Sequence, residues 1–131
     1  MNISDIAKKT DLTTKTIRFY EDKGIITPPM RADNGYRYYN DGHLAELLLI
    51  KRSRLVGFSL EECRELLALS RDPNRRSADV KQKAIAKLKD IDHKISELIQ
   101  MKHTLETLTK QCPGNEHSCC PIIEGLSNEK L

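Results

Sequence analysis

At 131 residues, with 31% charged and 5% aromatic residues and no tryptophan, the chain has the composition of a helical protein with long solvated faces rather than a thick core. The net charge of +3 is unevenly spread: Lys8, Lys9, Lys15, Arg18, Lys23, Arg31, Arg37, Lys51, Arg52 and Arg54 crowd residues 8–54, a basic half suited to a polyanion. The opening MNISDIAKKT lacks a signal-peptide core and no later run reaches membrane-span length, so a cytoplasmic protein with no membrane partner is expected.

Asn2 or Ser4 caps a short helix over residues 3–9, where Ile3, Ile6 and Ala7 recur at helical spacing. Thr13 or Thr14 then caps TKTIRFYEDKG, with Ile17 and Tyr20 on one face and Gly24 as the stop. Two short helices joined by a tight turn, with Lys15 and Arg18 early in the second, have the form of a helix-turn-helix.

The segment ITPPMRADNGYRYYN places Asn34-Gly35 between alternating larger residues, a hairpin signal for a two-residue turn with positive φ at both central positions. The expected product is a two-stranded wing whose Arg31, Tyr36, Arg37 and Tyr39 reach phosphates and ribose. Asp41 caps a helix through Leu44, Leu47, Leu48, Ile50 and Leu55, ending at Gly57. Ser59-Leu60-Glu61-Glu62 opens another as a capping box, with Leu60, Cys63, Leu66, Leu67 and Leu69 on its buried face and Cys63 as a small core residue.

After the polar loop SRDPNRRSAD, a helix runs from about residue 79 to 111 without Gly or Pro. Ala84, Leu88, Ile91, Ile95, Leu98, Met101, Leu105 and Leu108 form one narrow seam along about 50 Å, longer than the rest of the chain can cover. A second copy is the economical cover, so a homodimer is expected. His43, His93 and His103 sit on helices at spacings that make no chelate and are expected in solvent.

The stretch CPGNEHSCCP, residues 112–121, holds three of the four cysteines and one of the four histidines. In a reducing compartment such a cluster binds metal or senses redox state rather than stapling a fold. Cys112 and Cys120 suit a soft monovalent ion in a two-sulfur site, whereas Cys112, His117, Cys119 and Cys120 together suit Zn(II) or Cd(II). A disulfide between Cys112 and Cys119 or Cys120 is a third reading. Pro121 fits the first position of a short helix through Ile122, Ile123 and Leu126, making Cys120 its cap and favouring a thiolate there. No carboxylate dyad, nucleophile–base pair or phosphate loop points to an enzyme.

The order of helix-turn-helix, wing, helix pair, long helix and cysteine loop resembles the MerR family of bacterial transcription regulators over essentially the whole chain. The stretch NISDIAKKTDLTTKTIRFYEDKGIITPPMRADNGYRYYN looks like that family's winged DNA-binding module. Ser77, Cys112, Cys120 and the tail CPGNEHSCCPII are similar to the branch that senses monovalent copper, silver and gold; Cys119 beside Cys120 departs from the pattern. The resemblance implies a mainly α protein with a winged helix-turn-helix domain and helix pair (1–70), a connecting loop (71–78), a dimerisation helix in an antiparallel coiled coil (79–111), and a metal-binding loop, short helix and tail (112–131).

It also implies one Cu(I), Ag(I) or Au(I) per protomer on Cys112 and Cys120, with Ser77 where divalent-ion sensors place a cysteine from the partner subunit. Ser77 would support the loop or cap the helix at Asp79, and His117 and Cys119 remain alternative ligands for Zn, Cd or Hg. By position, Lys15 and Arg18 contact base edges in the groove, and Tyr20, Arg31, Tyr36, Arg37 and Arg54 hold phosphates. The dimer would sit on double-stranded promoter DNA in the nucleoid. Its metal-loaded state would bend and underwind an overlong spacer for RNA polymerase at copper-export and detoxification genes.

Overall fold

A computed structural model describes residues 1–116, 118 and 120–127. The chain divides into two compact units, Met1–Lys87 and Leu88–Leu131.

The first unit opens with α1 (Ile3–Thr10). Asn2 is its cap: the Asn2 side chain accepts the Asp5 N–H at 2.8 Å, and the Asp5 carboxylate accepts the Asn2 N–H at 3.2 Å. The helix ends at Asp11, whose φ of 55° is the left-handed conformation that short polar side chains tolerate. Three residues later α2 (Thr14–Asp22) begins, capped by Thr13, which accepts the Thr16 N–H at 3.0 Å. Gly24, at φ 68°, ends the turn that follows.

Strands β1 (Met30–Arg31) and β2 (Arg37–Tyr38) pair antiparallel with Met30 opposite Tyr38 and Arg31 opposite Arg37. The connection differs from the two-residue turn expected. The Gly35 N–H donates to Ala32 O, the Ala32 N–H donates to Tyr36 O, and only Gly35 takes positive φ, at 83°. This is a type I turn followed by a left-handed glycine, a loop one residue longer.

On the Arg37 side the ribbon faces Glu21 of α2, and Tyr39, one residue past β2, lies on that side. Tyr39, expected on the nucleic-acid face, is fully buried in the core beside Ile6, Ile17, Ile25, Leu47, Ile50, Cys63 and Leu67. Its backbone exchanges hydrogen bonds with Met1, N–H to Met1 O at 2.7 Å and Tyr39 O from the Met1 ammonium at 2.8 Å. Each such aliphatic or aromatic side chain contributes about 1.5–3 kcal/mol on burial.

Helix α3 (Asp41–Leu55) is capped by Asn40 rather than Asp41. Its third residue, His43, completes the box by accepting the Asn40 N–H on Nδ1 at 3.0 Å. His43 is therefore buried, edge-on to Tyr39 and hydrogen-bonded to Pro28 O at 3.2 Å, not solvated. Leu55, assigned to the apolar stripe, lies 77% exposed at the helix end. Helix α4 (Leu60–Arg71) begins with the expected Ser59–Glu62 capping box and buries Cys63 completely.

Helix α5 (Ser77–Gln111) starts two residues earlier than expected, so Ser77 is its first residue and not a cap before Asp79. Within the first unit it is tied to α4 by Lys83–Glu65 and Lys87–Glu62, both at 2.8 Å. In the second unit Leu88, Ile95, Leu98, Met101 and Leu105 of the seam are exposed, together with Ile99, while Leu108 is buried. Helix α6 (Pro121–Ser127) packs there: a Cβ on Gly125 would lie 2.3 Å from Leu108 Cδ2.

Candidate nucleic-acid interface and thiol loop

The outer face of α2 and the wing form a series of shallow basic hollows. Lys15 and Arg18, both exposed, line one with Thr14, Phe19 and Asp22. Arg18 also joins Asn2, Ile3, Gly35, Tyr36 and Arg37 around a hollow of about 420 Å³ between α2 and the wing. Lys15 meets Thr16, Phe19, Tyr20, Arg54 and Leu60 around another of about 270 Å³. Phosphate backbones are held by donors from several elements, and these rims draw donors from a helix and a ribbon.

The sequence-predicted residues differ in how they present themselves. Tyr36 is 74% exposed at the wing tip. Arg31 folds back and donates from Nη1 to Gly35 O at 3.0 Å, bracing the wing turn. Arg54 donates to Phe58 O at 3.3 Å. Tyr20 belongs to the core by its ring, and burial raises its phenol pKa against a lowering by Arg54.

Arg37 is held by Glu21, Nε to Oε2 at 3.0 Å, and the Tyr39 hydroxyl donates to the other carboxylate oxygen. Burial, then the Glu21 hydrogen bond, pushes the Tyr39 phenol far above its ordinary range, so it stays a donor. Glu21 is not singled out by the sequence. Its signal is an acidic side chain in the last turn of a helix, where the dipole disfavours negative charge. Phe19, half-exposed with the Lys23 ammonium 5.7 Å above its ring, is likewise missed.

In the second unit α5 ends at Gln111, and the Cys112 N–H still donates to Thr109 O at 3.2 Å. Gly114, at φ 65°, turns the chain. Cys120 stands immediately before α6, and its carbonyl accepts the Glu124 N–H at 3.1 Å, closing the first helical turn. The Cys120 thiol pKa is lowered first by the Ile123 N–H, against desolvation, and then by the Ile122 N–H and a hydrogen bond with Cys112; Glu124 opposes. Cys112 and Cys120, both free thiols, thus lie close enough for Cys112 to act on the Cys120 thiol.

His117 and Cys119 lie outside the described residues. Ser77 belongs to the first unit, beside Pro73, Arg75, Val80 and Lys81. Among the described residues there is no group of three or more His, Cys, Asp or Glu able to hold a metal. Two neighbouring sulfurs, one of them at a helix start that favours its thiolate, fit a soft monovalent ion.

Among the described residues, no helix is long and apolar enough to cross a membrane.

Known proteins resemble the chain along nearly all its length. The description MerR HTH family regulatory protein matches residues 1–70, and MerR, DNA binding matches residues 44–108. The HTH-type transcriptional regulator CueR of Salmonella typhimurium is 55% identical over 97% of this chain and 92% of its own. The HTH-type transcriptional regulator HmrR of Rhizobium leguminosarum is 49% identical over 98% of each.

Among solved structures, a transcription regulator of Ralstonia metallidurans in complex with lead(II) superposes with a TM-score of 0.85. It shares 32% identity, covering 96% of this chain and 98% of its own. The mercury(II) complex of a dual-function regulator of Bacillus megaterium gives 0.72 at 32% identity, over 93% and 95%. With the winged helix-turn-helix, the long α5 and these matches in hand, the chain belongs to the MerR family of helix-turn-helix transcription regulators.

Proposed function

We propose that the chain is a homodimeric, metal-responsive transcription activator that answers to Cu(I), and also to Ag(I) or Au(I), with one ion per protomer. The observation carrying this reading is the nearness of the free thiols Cys112 and Cys120, with Cys120 directly before α6, where the Ile123 and Ile122 N–H groups lower its pKa. Two thiolates around a monovalent cation keep one negative charge, which those N–H groups stabilise; a divalent cation leaves none. The apolar Ile122 and Ile123 follow Cys120 directly in the sequence. Ser77 supplies no third sulfur, since a hydroxyl is a poor soft-metal donor.

In this reading residues 1–70 bind promoter DNA, 71–78 connect, and the exposed apolar face of 79–111 pairs with a second copy as an antiparallel coiled coil. Residues 112–131 carry the metal. Lys15 and Arg18 read base edges, and Tyr20, Arg31, Tyr36, Arg37 and Arg54 engage the backbone. The protein works on the nucleoid in the cytoplasm with RNA polymerase at copper-export and detoxification promoters. The loaded dimer favours a bent, underwound spacer, and the unloaded dimer stays bound.

The lead(II) and mercury(II) complexes of relatives favour a second reading, a divalent-metal regulator drawing on His117 and Cys119. Anaerobic hydroxyl-radical footprinting of a bound promoter, with Cu(I) or Zn(II), tests the choice. Cu(I) is expected to change spacer cleavage at unchanged occupancy; a change produced by Zn(II) alone would favour the rival.

A further inference from the structure

We infer that Glu21 is a positioning residue for DNA binding, clamping the wing to α2 and aiming the Arg37 guanidinium at the phosphate backbone. The inference rests on the DNA-binding reading of this face.

Three features make a glutamate at this position costly. It sits in the last turn of α2, where the helix dipole disfavours a carboxylate and the turn itself holds no basic residue. Its side chain is only 7% exposed, so it has lost most of its hydration. It also lies beneath a face lined by Arg18 and Arg37, where a polyanion repels it. Local preference would put a neutral or basic residue here.

What offsets this is the pair of wing residues it holds. Oε2 takes the Arg37 Nε–H at 3.0 Å, and Oε1 takes the Tyr39 hydroxyl. Tyr39 is fully buried, so one end of the clamp is anchored in the core. Both Arg37 terminal amino groups make no hydrogen bond among the described residues, and the side chain remains partly exposed on the rim shared with Arg18 and Tyr36. Anchoring a guanidinium through Nε fixes its plane and leaves its terminal edge for a phosphate. The two-residue strands β1 and β2 are too short to hold the wing against α2 by themselves.

The test uses the full-length protein and fluorescence anisotropy on a promoter fragment and a random duplex, across a salt series. Glu21→Gln is isosteric and removes a negative charge near DNA, so simple electrostatics predicts tighter binding. Positioning predicts the opposite: about tenfold weaker binding to both duplexes, with the salt slope reduced by about 0.9 for each phosphate that is no longer neutralised. Combined with Arg37→Ala, it should add little to the effect of Arg37→Ala alone. Tyr39→Phe keeps the ring and removes one anchor, and should weaken binding in the same way but by less.

Tighter binding by Glu21→Gln, full additivity with Arg37→Ala, or an unchanged salt slope at lowered thermal stability would each overturn the inference. If Glu21→Gln fails to fold, Tyr39→Phe decides it by the same slope. A wild-type protein that binds neither duplex overturns the DNA-binding reading itself.

Discussion

Leu108 and Gly125 meet so closely that a Cβ on Gly125 would fall 2.3 Å from Leu108 Cδ2 and 3.4 Å from its Cγ. This packing seats α6 on the last turns of α5, and the Ile123 and Ile122 N–H groups of α6 in turn lower the Cys120 thiol pKa. Gly125→Ala is expected to displace α6 and weaken Cu(I) retention against a chelator about tenfold. Leu108→Ala alone should cost about 2 kcal/mol by opening a cavity, and the double variant should recover part of that loss. Chelator competition and thermal melts on the four proteins check this; strictly additive losses would mean the two side chains do not share one seat.

Glu62 is held at about 2, mainly by the Lys87 ammonium and then by the Ser59 N–H. Because the folded value lies below the ordinary 4.5, the stabilisation is fully present above pH 4.5 and is lost as pH falls through about 2. Lys87→Met should be less stable than wild type at neutral pH by about 1 kcal/mol or less, since Glu62 is one-third exposed. The gap should close between pH 4.5 and 2. Melts across that range measure it, and a constant gap would assign the loss to Lys87 packing on Phe58, 5.6 Å away.

The groove and phosphate roles separate by competitor. Arg37→Ala should weaken promoter and random DNA equally, whereas Arg18→Ala should also lose about 1–3 kcal/mol of discrimination at one base position. Anisotropy at fixed salt on single-base operator variants gives both numbers. Equal losses on operator and random DNA for both variants would reject the division.

How much of the fold and the sites is legible in the sequence depends on whether the deciding force is local. The Ser59–Glu62 box and a threonine cap at Thr13 or Thr14 are readable because each is settled within one turn of helix. Asn40 and Asp41 are both good caps side by side, and only the backbone path out of β2 selects Asn40. That choice also decides His43, which becomes the third residue of the box and is buried. Tyr39 follows a basic, tyrosine-rich ribbon, and only packing against Ile6, Ile17 and Leu47, remote in the chain, puts it in the core. Glu21 is illegible because its partners are 16 and 18 residues away and its local setting is unfavourable.

The α5 seam carries the prediction for assembly. Leu98 is 60% exposed and borders an apolar groove with Met101 and Leu105. Leu98→Asp with Leu105→Asp should shift a dimer to monomer in sedimentation velocity and lower operator affinity at least a hundredfold, on the order expected when two-site binding is removed. A double variant that sediments as the wild type would remove the seam as the dimer interface.

Whether Cys112 and Cys120 together receive a monovalent soft metal is decided most directly by copper K-edge X-ray absorption. The sample is the reduced full chain, loaded anaerobically with one equivalent of Cu(I) against a competing chelator. Two short copper–sulfur distances are expected, absent in Cys112→Ser and Cys120→Ser and retained in Cys119→Ser. A four-ligand zinc site that outcompetes copper and includes His117 or Cys119 would contradict the monovalent-metal reading.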